Sequence, residues 1–326
     1  MIHSIPPNVR FAIIHEMISR EDNTLKISVL CDIASVSRSG YYNWIASEPG
    51  REIREEKDRA DFVLILKAYN FRGYAKGGRG IYMRLLRFDP PVIMNLKKIR
   101  RLMRKYGLKC PIRKANPYRR MAKALKTSHV APNLLERKFR EFGMRKVLLT
   151  DITYILYGDD RRCYLCTILD AYTKEILSYA LSESLAVDFV LEAVTILIRN
   201  HGSSLYSAET IINSDQGSHY TSLKFIKLIN DNELRQSMSR RANCWDNAPQ
   251  ESFFGHMKDN INIIGCNSFD DIKTEIDDWM DYYNYDRYQW DLAKLSPCEF
   301  AEYTRTGIYP LRGVIREPNP EKYLDY

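Results

Sequence analysis

The sequence lacks the features of a membrane-bound or secreted protein. It has no run of about eighteen apolar residues, the length that a membrane-spanning helix needs, and its first residues do not resemble a signal peptide. Its seven cysteines are scattered and odd in number, which fits reduced thiols better than a disulfide framework. We therefore expect a cytoplasmic protein without a membrane partner, and 326 residues are enough for two or three domains.

Acidic residues are absent from one long segment. Residues 97–126 contain thirteen Lys or Arg and no Asp or Glu, within a chain of net charge +8. The alternative is a solvated helix face, but a stretch this long and basic favours contact with the phosphates of a nucleic acid. The candidate contacts on the helix expected there are Lys97, Lys98, Arg100, Arg101, Arg104 and Lys105.

Near the N-terminus, the apolar spacing indicates two short helices. The first is expected over residues 26–34, and Ser37 can cap a second helix that begins at Arg38. This is the outline of a helix-turn-helix whose second helix would present Arg38 and Tyr41 to DNA. Because many helical hairpins share the outline, a purely structural hairpin is equally open.

The pattern along the chain predicts four regions. Residues 1–110 are expected to be a helical DNA-binding region, and residues 111–143, with three prolines, a basic linker. Residues 144–266 show strands followed by alternating helix and strand, an α/β pattern with a mixed sheet, and residues 267–326 a C-terminal helical extension. The glycine-rich residues 73–80 lack the spacing of a phosphate-binding loop, and we interpret them as a flexible turn.

Three acidic residues occupy positions that suit metal binding. Asp151 interrupts the apolar run 147–156, and Asp215 ends a second run just before a glycine. Glu251 falls in the first turn of an expected helix, with Lys258 about 10 Å further along the same face. A carboxylate among strand residues is costly to bury without a cation, and Mg²⁺ is the usual partner where several carboxylates meet.

Other polar residues near these acids allow a structural interpretation. His219 could orient a phosphate or shuttle a proton, and a structural role is equally open. Asp170 could be mistaken for a catalytic acid, but its sequence context indicates a turn. Cys163 and Cys166 form a CxxC without a second ligand pair nearby, so we interpret them as core thiols rather than zinc ligands. Tyr220 is more typical of a core aromatic residue than of a base-stacking platform.

Three segments together resemble the insertion-sequence transposases of the IS3 family, which share the catalytic core of retroviral integrases. The segments are TDITY at 150–154, NSDQGSHYTS at 213–222 and SMSRRANCWDNAPQESFFG at 237–255. Similar motifs occur upstream at 99–108 and downstream at 283–297, so the resemblance spans nearly the whole chain.

The resemblance implies a ribonuclease H-like fold and a DDE triad formed by Asp151, Asp215 and Glu251. It further implies two Mg²⁺ ions per site, replaceable by Mn²⁺, with Asp151 on both, Asp215 on one and Glu251 on the other. One ion would activate a water or a DNA 3′-hydroxyl, and the other would stabilise the leaving oxygen. The additional DNA contacts expected are Lys258, His219, Arg240 and Arg241.

The expected partners also follow from the resemblance. They are double-stranded DNA, as the terminal inverted repeats of the element and as the target, and further copies of the chain assembled on that DNA. The chain resembles the downstream, OrfB-type polypeptide, so the product of an upstream reading frame would assist it or be fused to it. We expect it on the bacterial nucleoid. Two other functions remain open: a ribonuclease H or junction-resolving nuclease, and a non-enzymatic DNA-binding regulator.

Overall fold

The computed structural model describes most of the chain as two compact units. The described residues are 5–111, 142–158, 160–206, 209–238 and 248–319. The units are Met1–Leu66 and Lys67–Tyr326. Within these described ranges, no helix is both long enough and apolar enough to span a bilayer.

The first unit contains three short helices around a small apolar core. They are α1 (Pro7–Ile18), α2 (Ile27–Ile33) and α3 (Arg38–Ala46). Their buried core residues are Ile14, Leu30, Cys31 and Tyr41. The Ser37 side chain caps α3 by accepting a hydrogen bond of 3.1 Å from the backbone N–H of Gly40. The helix, turn and helix expected over residues 26–45 are therefore confirmed.

Helix α4 (Glu48–Asn70) contains the boundary between the units, and two more helices follow it. After a 3₁₀ turn (Phe71–Gly73) come α5 (Gly78–Leu85) and α6 (Leu96–Lys105). The interpretation of residues 73–80 as a flexible turn was wrong in its second half, because Gly78 begins α5. Burial of Ile81, Met83 and Leu85, with packing on α6, offsets the helix cost of two glycines.

The second unit is built on a mixed five-stranded sheet. Its strands are β1 (Val147–Tyr157), β2 (Arg161–Asp170), β3 (Ile176–Ser182), β4 (Ile211–Ser214) and β5 (Arg235–Met238). Their order is β3-β2-β1-β4-β5. The pairs β1–β2 and β2–β3 are antiparallel, whereas β1–β4 and β4–β5 are parallel. This mixed sheet, flanked by helices, confirms the expected ribonuclease H-like α/β fold.

Helices cover both faces of the sheet. They are α7 (Asp188–Tyr206), α8 (Leu223–Asp231), α9 (Ala248–Lys258) and α10 (Phe269–Asp281), and α11 (Pro297–Thr306) follows them. Side chains alternate between faces along a strand. In β1, Leu148 packs in a cluster with α7 and α8, whereas Leu149 packs in a cluster with α9 and α10. The face of the sheet on which any other β1 side chain lies follows from this assignment.

Helix α10 holds α9 against the sheet. Its apolar residues recur at helical spacing, and all of them are buried: Ile272, Ile276, Trp279, Met280 and the following Tyr283. A capping box of Ser268 and Asp271 fixes its start.

Candidate active site

Asp151 and Asp215 lie at matching positions of two neighbouring parallel strands. In the β1–β4 ladder, Leu148 pairs with Ile212 and Leu149 with Asn213, so the same offset brings Asp151 level with Asp215 just past the end of β4. Adjacent strands lie about 4.8 Å apart. The sheet therefore brings two of the three candidate carboxylates together, although 64 positions separate them in the chain (215 − 151).

The Asp151 carboxylate belongs to the face of the sheet that α9 covers, because Leu149, two residues before it in β1, packs in the cluster with α9 and α10. Asp215 directly follows β4, in which Ile211 packs in the same cluster. Asp151 is half-buried and Asp215 is exposed. Two negative charges this close repel one another, which favours binding of a cation between them.

The helix that carries Glu251 contacts the same face through the neighbouring residue, Gln250. The Gln250 amide is fully buried and donates to the carbonyl oxygen of Thr167 at 3.3 Å and to the Thr167 hydroxyl. Thr167 is the direct cross-strand partner of Asp151 in the β1–β2 ladder. This contact fixes the first turn of α9, and with it Glu251, beside the strand that carries Asp151.

The donor set fits a hard divalent cation. Carboxylate oxygens are the preferred ligands of Mg²⁺, and all three acids supply them. Across the described part of the chain, however, no group of three or more His, Cys, Asp or Glu is arranged to hold a metal ion. The structure thus brings Asp151 and Asp215 together and places the helix of Glu251 over the same face, without closing the three into a ready cluster.

A tight turn holds the Asp215 carboxylate. Its Oδ1 accepts a hydrogen bond of 2.9 Å from the backbone N–H of Gly217. A Cβ atom at Gly217 would lie 2.9 Å from the same oxygen, closer than real Cβ atoms come to a neighbour. Glycine at this position therefore allows the backbone to approach the carboxylate and to donate to it.

Lys258 lies within the electrostatic reach of Asp151. The side chain as a whole is exposed, but partial burial around its ammonium group lowers the pKa of Lys258, and the negative charge of Asp151 opposes that shift. Its Nζ lies 5.0 Å from the centroid of the Tyr154 ring. Lys258 is thus a cation at the edge of the site.

A buried hydroxyl network lies on the opposite face of β1. Tyr220 is 1% exposed, and its hydroxyl forms a hydrogen bond of 3.2 Å with the hydroxyl of Thr150 and lies 4.0 Å from the Cys166 sulfur. Burial, followed by the effects of Cys166 and Asp151, raises the pKa of Tyr220 well above its usual value, so the phenol stays neutral. The interpretation of Tyr220 as a core aromatic residue is confirmed, but no sequence pattern indicated the role of its hydroxyl.

His219 is engaged in a contact of its own. Its Nε2 donates a hydrogen bond of 2.8 Å to the carbonyl oxygen of Leu185, and its ring packs edge-on against Phe189 at 6.2 Å between centroids. The imidazole therefore links the segment after Asp215 to the start of α7.

Asp170 and the CxxC thiols are structural. Asp170 is fully buried, forms an ion pair of 3.1 Å with Arg145 and accepts a backbone hydrogen bond from Tyr172, as its turn context indicated. Cys163 and Cys166 are also fully buried, and burial raises their pKa values to about 11 and about 12. They are core thiols, as predicted.

The candidate DNA contacts differ in their exposure. In α6, Ile99, Leu102 and Met103 are buried and form the inner face. The exposed basic residues are Lys97, Arg100, Arg101, Arg104 and Lys105, and Lys98 is half-buried. Arg240 and Arg241 lie outside the described residues, as does nearly all of the expected linker over 111–143.

The expectation for Tyr41 is corrected. Tyr41 is 1% exposed and its hydroxyl contacts His15 Nδ1 at 3.3 Å, so its side chain belongs to the core of the first unit and cannot reach DNA. Arg38 and Tyr42, the residue that follows Tyr41, are among the exposed side chains of α3. One step along a helix turns the side chain by about 100°, which accounts for the difference.

Comparison with protein families identifies three matching regions. A family model described as "Integrase core domain" matches residues 143–244, and a second model of the same description matches residues 251–304. A model described as "HTH-like domain" matches residues 55–116, which include α5 and α6 and lie beyond the hairpin of α2 and α3.

Individual proteins are also similar to this chain. The "Insertion element IS600 uncharacterized 31 kDa protein" of Shigella sonnei is 30% identical over 84% of this chain and 97% of its own length. The "Transposase InsF for insertion sequence IS3A" of Escherichia coli is 25% identical over 87% of this chain and 96% of its own length. Among solved structures, the HTLV-2 integrase catalytic core domain in complex with magnesium superposes with a TM-score of 0.36 and 12% identity, over 48% of this chain and 96% of that one.

Proposed function

Because the chain belongs to the IS3 family of insertion-sequence transposases, we propose that it cuts DNA at the ends of an insertion sequence and joins them to target DNA through Asp151, Asp215 and Glu251. The observation that supports this best is the alignment of Asp151, within β1, with Asp215, just past the end of the neighbouring parallel strand β4, beside the helix of Glu251.

We infer that Asp151, Asp215 and Glu251 would hold two Mg²⁺ ions, for which Mn²⁺ would substitute. When bound, such ions supply positive charge that activates the attacking oxygen and stabilises the leaving one. The chain itself would hold the acids in position. The β1–β4 pairing would align Asp151 with Asp215, the Gly217 N–H would orient Asp215, and the Gln250–Thr167 contact would fix the helix of Glu251. Lys258 would contact a phosphate of the DNA strand beside them.

The basic face of α6 would bind the DNA backbone. Its exposed lysines and arginines lie on one side of a helix whose other side is buried, within the region that matches the HTH-like family model. Such contacts are independent of DNA sequence and weaken as salt increases. Arg38 and His219 are proposed as further contacts, as are Arg240 and Arg241. The active assembly is proposed to contain two or more copies, since two element ends must be held together, with an upstream-frame product as helper.

The decisive experiment is strand transfer by carboxylate variants of the full chain. The substrate is a duplex oligonucleotide that carries the terminal inverted repeat found beside the gene, and the measured products are the nicked end and the joined end. We expect Asp151→Asn, Asp215→Asn and Glu251→Gln each to abolish both products in Mg²⁺ and in Mn²⁺, and to retain DNA binding in a gel-shift assay. The matched control is Asp188→Asn, an exposed carboxylate paired with Lys224 at 3.3 Å, which should behave as wild type.

Other results would refute the proposal in different ways. Joining by Glu251→Gln would remove Glu251 from the catalytic set. Cleavage without joining by the wild-type chain would indicate a nuclease. DNA binding without metal-dependent cleavage would indicate a regulator.

A further inference from the structure

We propose that the hydroxyl group of Tyr220 is a positioning group that sets the distance between the Asp215 turn and the Asp151 strand. This inference rests on the proposed function, because it concerns the same pair of carboxylates. Tyr220 would touch neither metal nor DNA. It would act from the opposite face of the sheet, through Thr150 and the backbone on both sides.

Tyr220 ends the turn that Asp215 begins. The Asp215 carboxylate accepts from the Gly217 N–H at 2.9 Å, and the Gly217 carbonyl oxygen accepts from the Tyr220 N–H at 3.1 Å. Asp215 and Tyr220 thus bracket one hydrogen-bonded turn. Two consecutive hydrogen bonds thus connect Tyr220 to the Asp215 carboxylate.

The Tyr220 side chain contacts β1 from the face opposite to Asp151. Its hydroxyl bonds to Thr150, the residue directly before Asp151, and lies near Cys166, which pairs with Ile152 across the β1–β2 ladder. Thr150 lies on the face opposite to Asp151. The hydroxyl therefore holds the side chain of Thr150, and through it β1, next to Asp151.

The rest of Tyr220 is already fixed by other contacts. Its ring packs edge-on against Phe225 at 5.3 Å between centroids, and its carbonyl oxygen accepts from the Gln236 amide of β5 at 2.8 Å. Packing of the ring would survive removal of the hydroxyl. Thr150 would also keep a polar partner, because its hydroxyl lies 3.6 Å from the Cys166 sulfur. The hydroxyl thus has little to add to folding, whereas it links the Asp215 turn directly to β1.

The test compares Tyr220→Phe with Tyr157→Phe in the full chain. Tyr157 is a matched control: it is 2% exposed, lies at the far end of β1 and donates a hydrogen bond of 2.6 Å to Glu183. Mn²⁺ binding is measured by electron paramagnetic resonance without DNA, for wild type, both variants and Asp151→Asn. Loss of a group that orients metal ligands typically weakens metal binding about 10- to 100-fold. We expect about a 10-fold increase in the Mn²⁺ dissociation constant for Tyr220→Phe, and no change for Tyr157→Phe.

Two further measurements separate positioning from folding. Strand transfer by Tyr220→Phe should approach the wild-type rate at saturating Mg²⁺, which a folding defect would not do. The shape-conserving variant Thr150→Val should show the same shift in metal binding, and the double variant should be no worse than either single one, since the same link is broken in all three.

The outcomes distinguish this inference from the proposed function. Wild-type Mn²⁺ binding that is lost in Asp151→Asn but unchanged in Tyr220→Phe would overturn the role of Tyr220 alone. Wild-type chain that shows no Mn²⁺ binding dependent on Asp151 would overturn the metal site, and the inference with it. Equal weakening in Tyr157→Phe would show a general effect of removing tyrosine hydroxyls and would also refute the proposal.

Discussion

Replacement of Gly217 by alanine should impair catalysis with little loss of stability. The added Cβ would lie 2.9 Å from Oδ1 of Asp215, whereas ordinary contacts begin at 3.4 Å, so the carboxylate must move by about 0.5 Å or rotate away. Because the atom that must move is the end of an exposed side chain, the free energy of unfolding should change by less than about 1 kcal/mol. The catalytic cost is larger, since a carboxylate displaced from its ligand position typically costs about 10- to 100-fold in rate.

The assay for Gly217→Ala is strand transfer under single-turnover conditions, with the free energy of unfolding measured by urea titration of the same preparations. We expect a rate lowered about 10- to 100-fold, which corresponds to about 1.4–2.7 kcal/mol in the activation barrier. Gly50→Ala is the control, because a Cβ there would have no neighbour within 4 Å. A Gly217→Ala enzyme with the wild-type rate would refute the view that Asp215 acts from the position that this turn gives it.

Three further predictions concern DNA binding, packing and pH. Replacement of Arg100 and Arg101 by glutamine should weaken the salt dependence of DNA binding. The slope of log affinity against log salt concentration should become shallower by about 0.9 for each phosphate that the variant no longer binds. An unchanged slope would show that this face of α6 does not contact DNA phosphates. Trp279→Ala should lower the free energy of unfolding by about 3–5 kcal/mol in urea titration, since the side chain is fully buried; a loss below about 1 kcal/mol would contradict the packing. Burial, aided by the charge of Arg84, lowers the pKa of Lys76 from 10.5 to about 8. Between these values the folded chain binds fewer protons than the unfolded chain, so stability should rise with pH more steeply in wild type than in Lys76→Met; parallel curves would refute this.

The elements of the fold that could be predicted are those whose local sequence pattern shows which of their side chains are buried. Strand β1 covers the apolar run 147–156 that Asp151 interrupts, because the apolar residues 147–149 lead into a segment rich in β-branched residues. Helix α10 likewise shows its buried stripe at helical spacing. In both cases the local preference and the tertiary contacts agree.

The parts that could not be predicted depend on contacts between distant residues. Strand β5, with the sequence RQSM, has no apolar alternation, and it exists because β4 offers a parallel edge on which Arg235 pairs with Ile211. Helix α5 begins within a glycine-rich stretch because α6 covers its apolar face.

The candidate residues of the site could be named from the sequence, whereas their arrangement could not. The segments around Asp151 and Asp215 are recognisable in the sequence, but their matched positions follow only from the β1–β4 ladder. The contact of Gln250 with Thr167 and the hydroxyl network of Tyr220 had no sequence signal, since a buried polar pair leaves no periodic pattern.

The packing of α9 between the sheet and α10 has a consequence for how copies of such an element decay. Phe253 of α9 meets Tyr283 edge-on at 4.7 Å between ring centroids, and both belong to one buried cluster with Trp279. Glu251 therefore depends for its place on residues encoded well after it. A frameshift or stop codon within 269–283 would leave Asp151, Asp215 and Glu251 in the chain and still remove the packing that holds the helix of Glu251. A survey of degenerate copies that checks only these three acids would therefore overlook lesions that unseat the helix of Glu251.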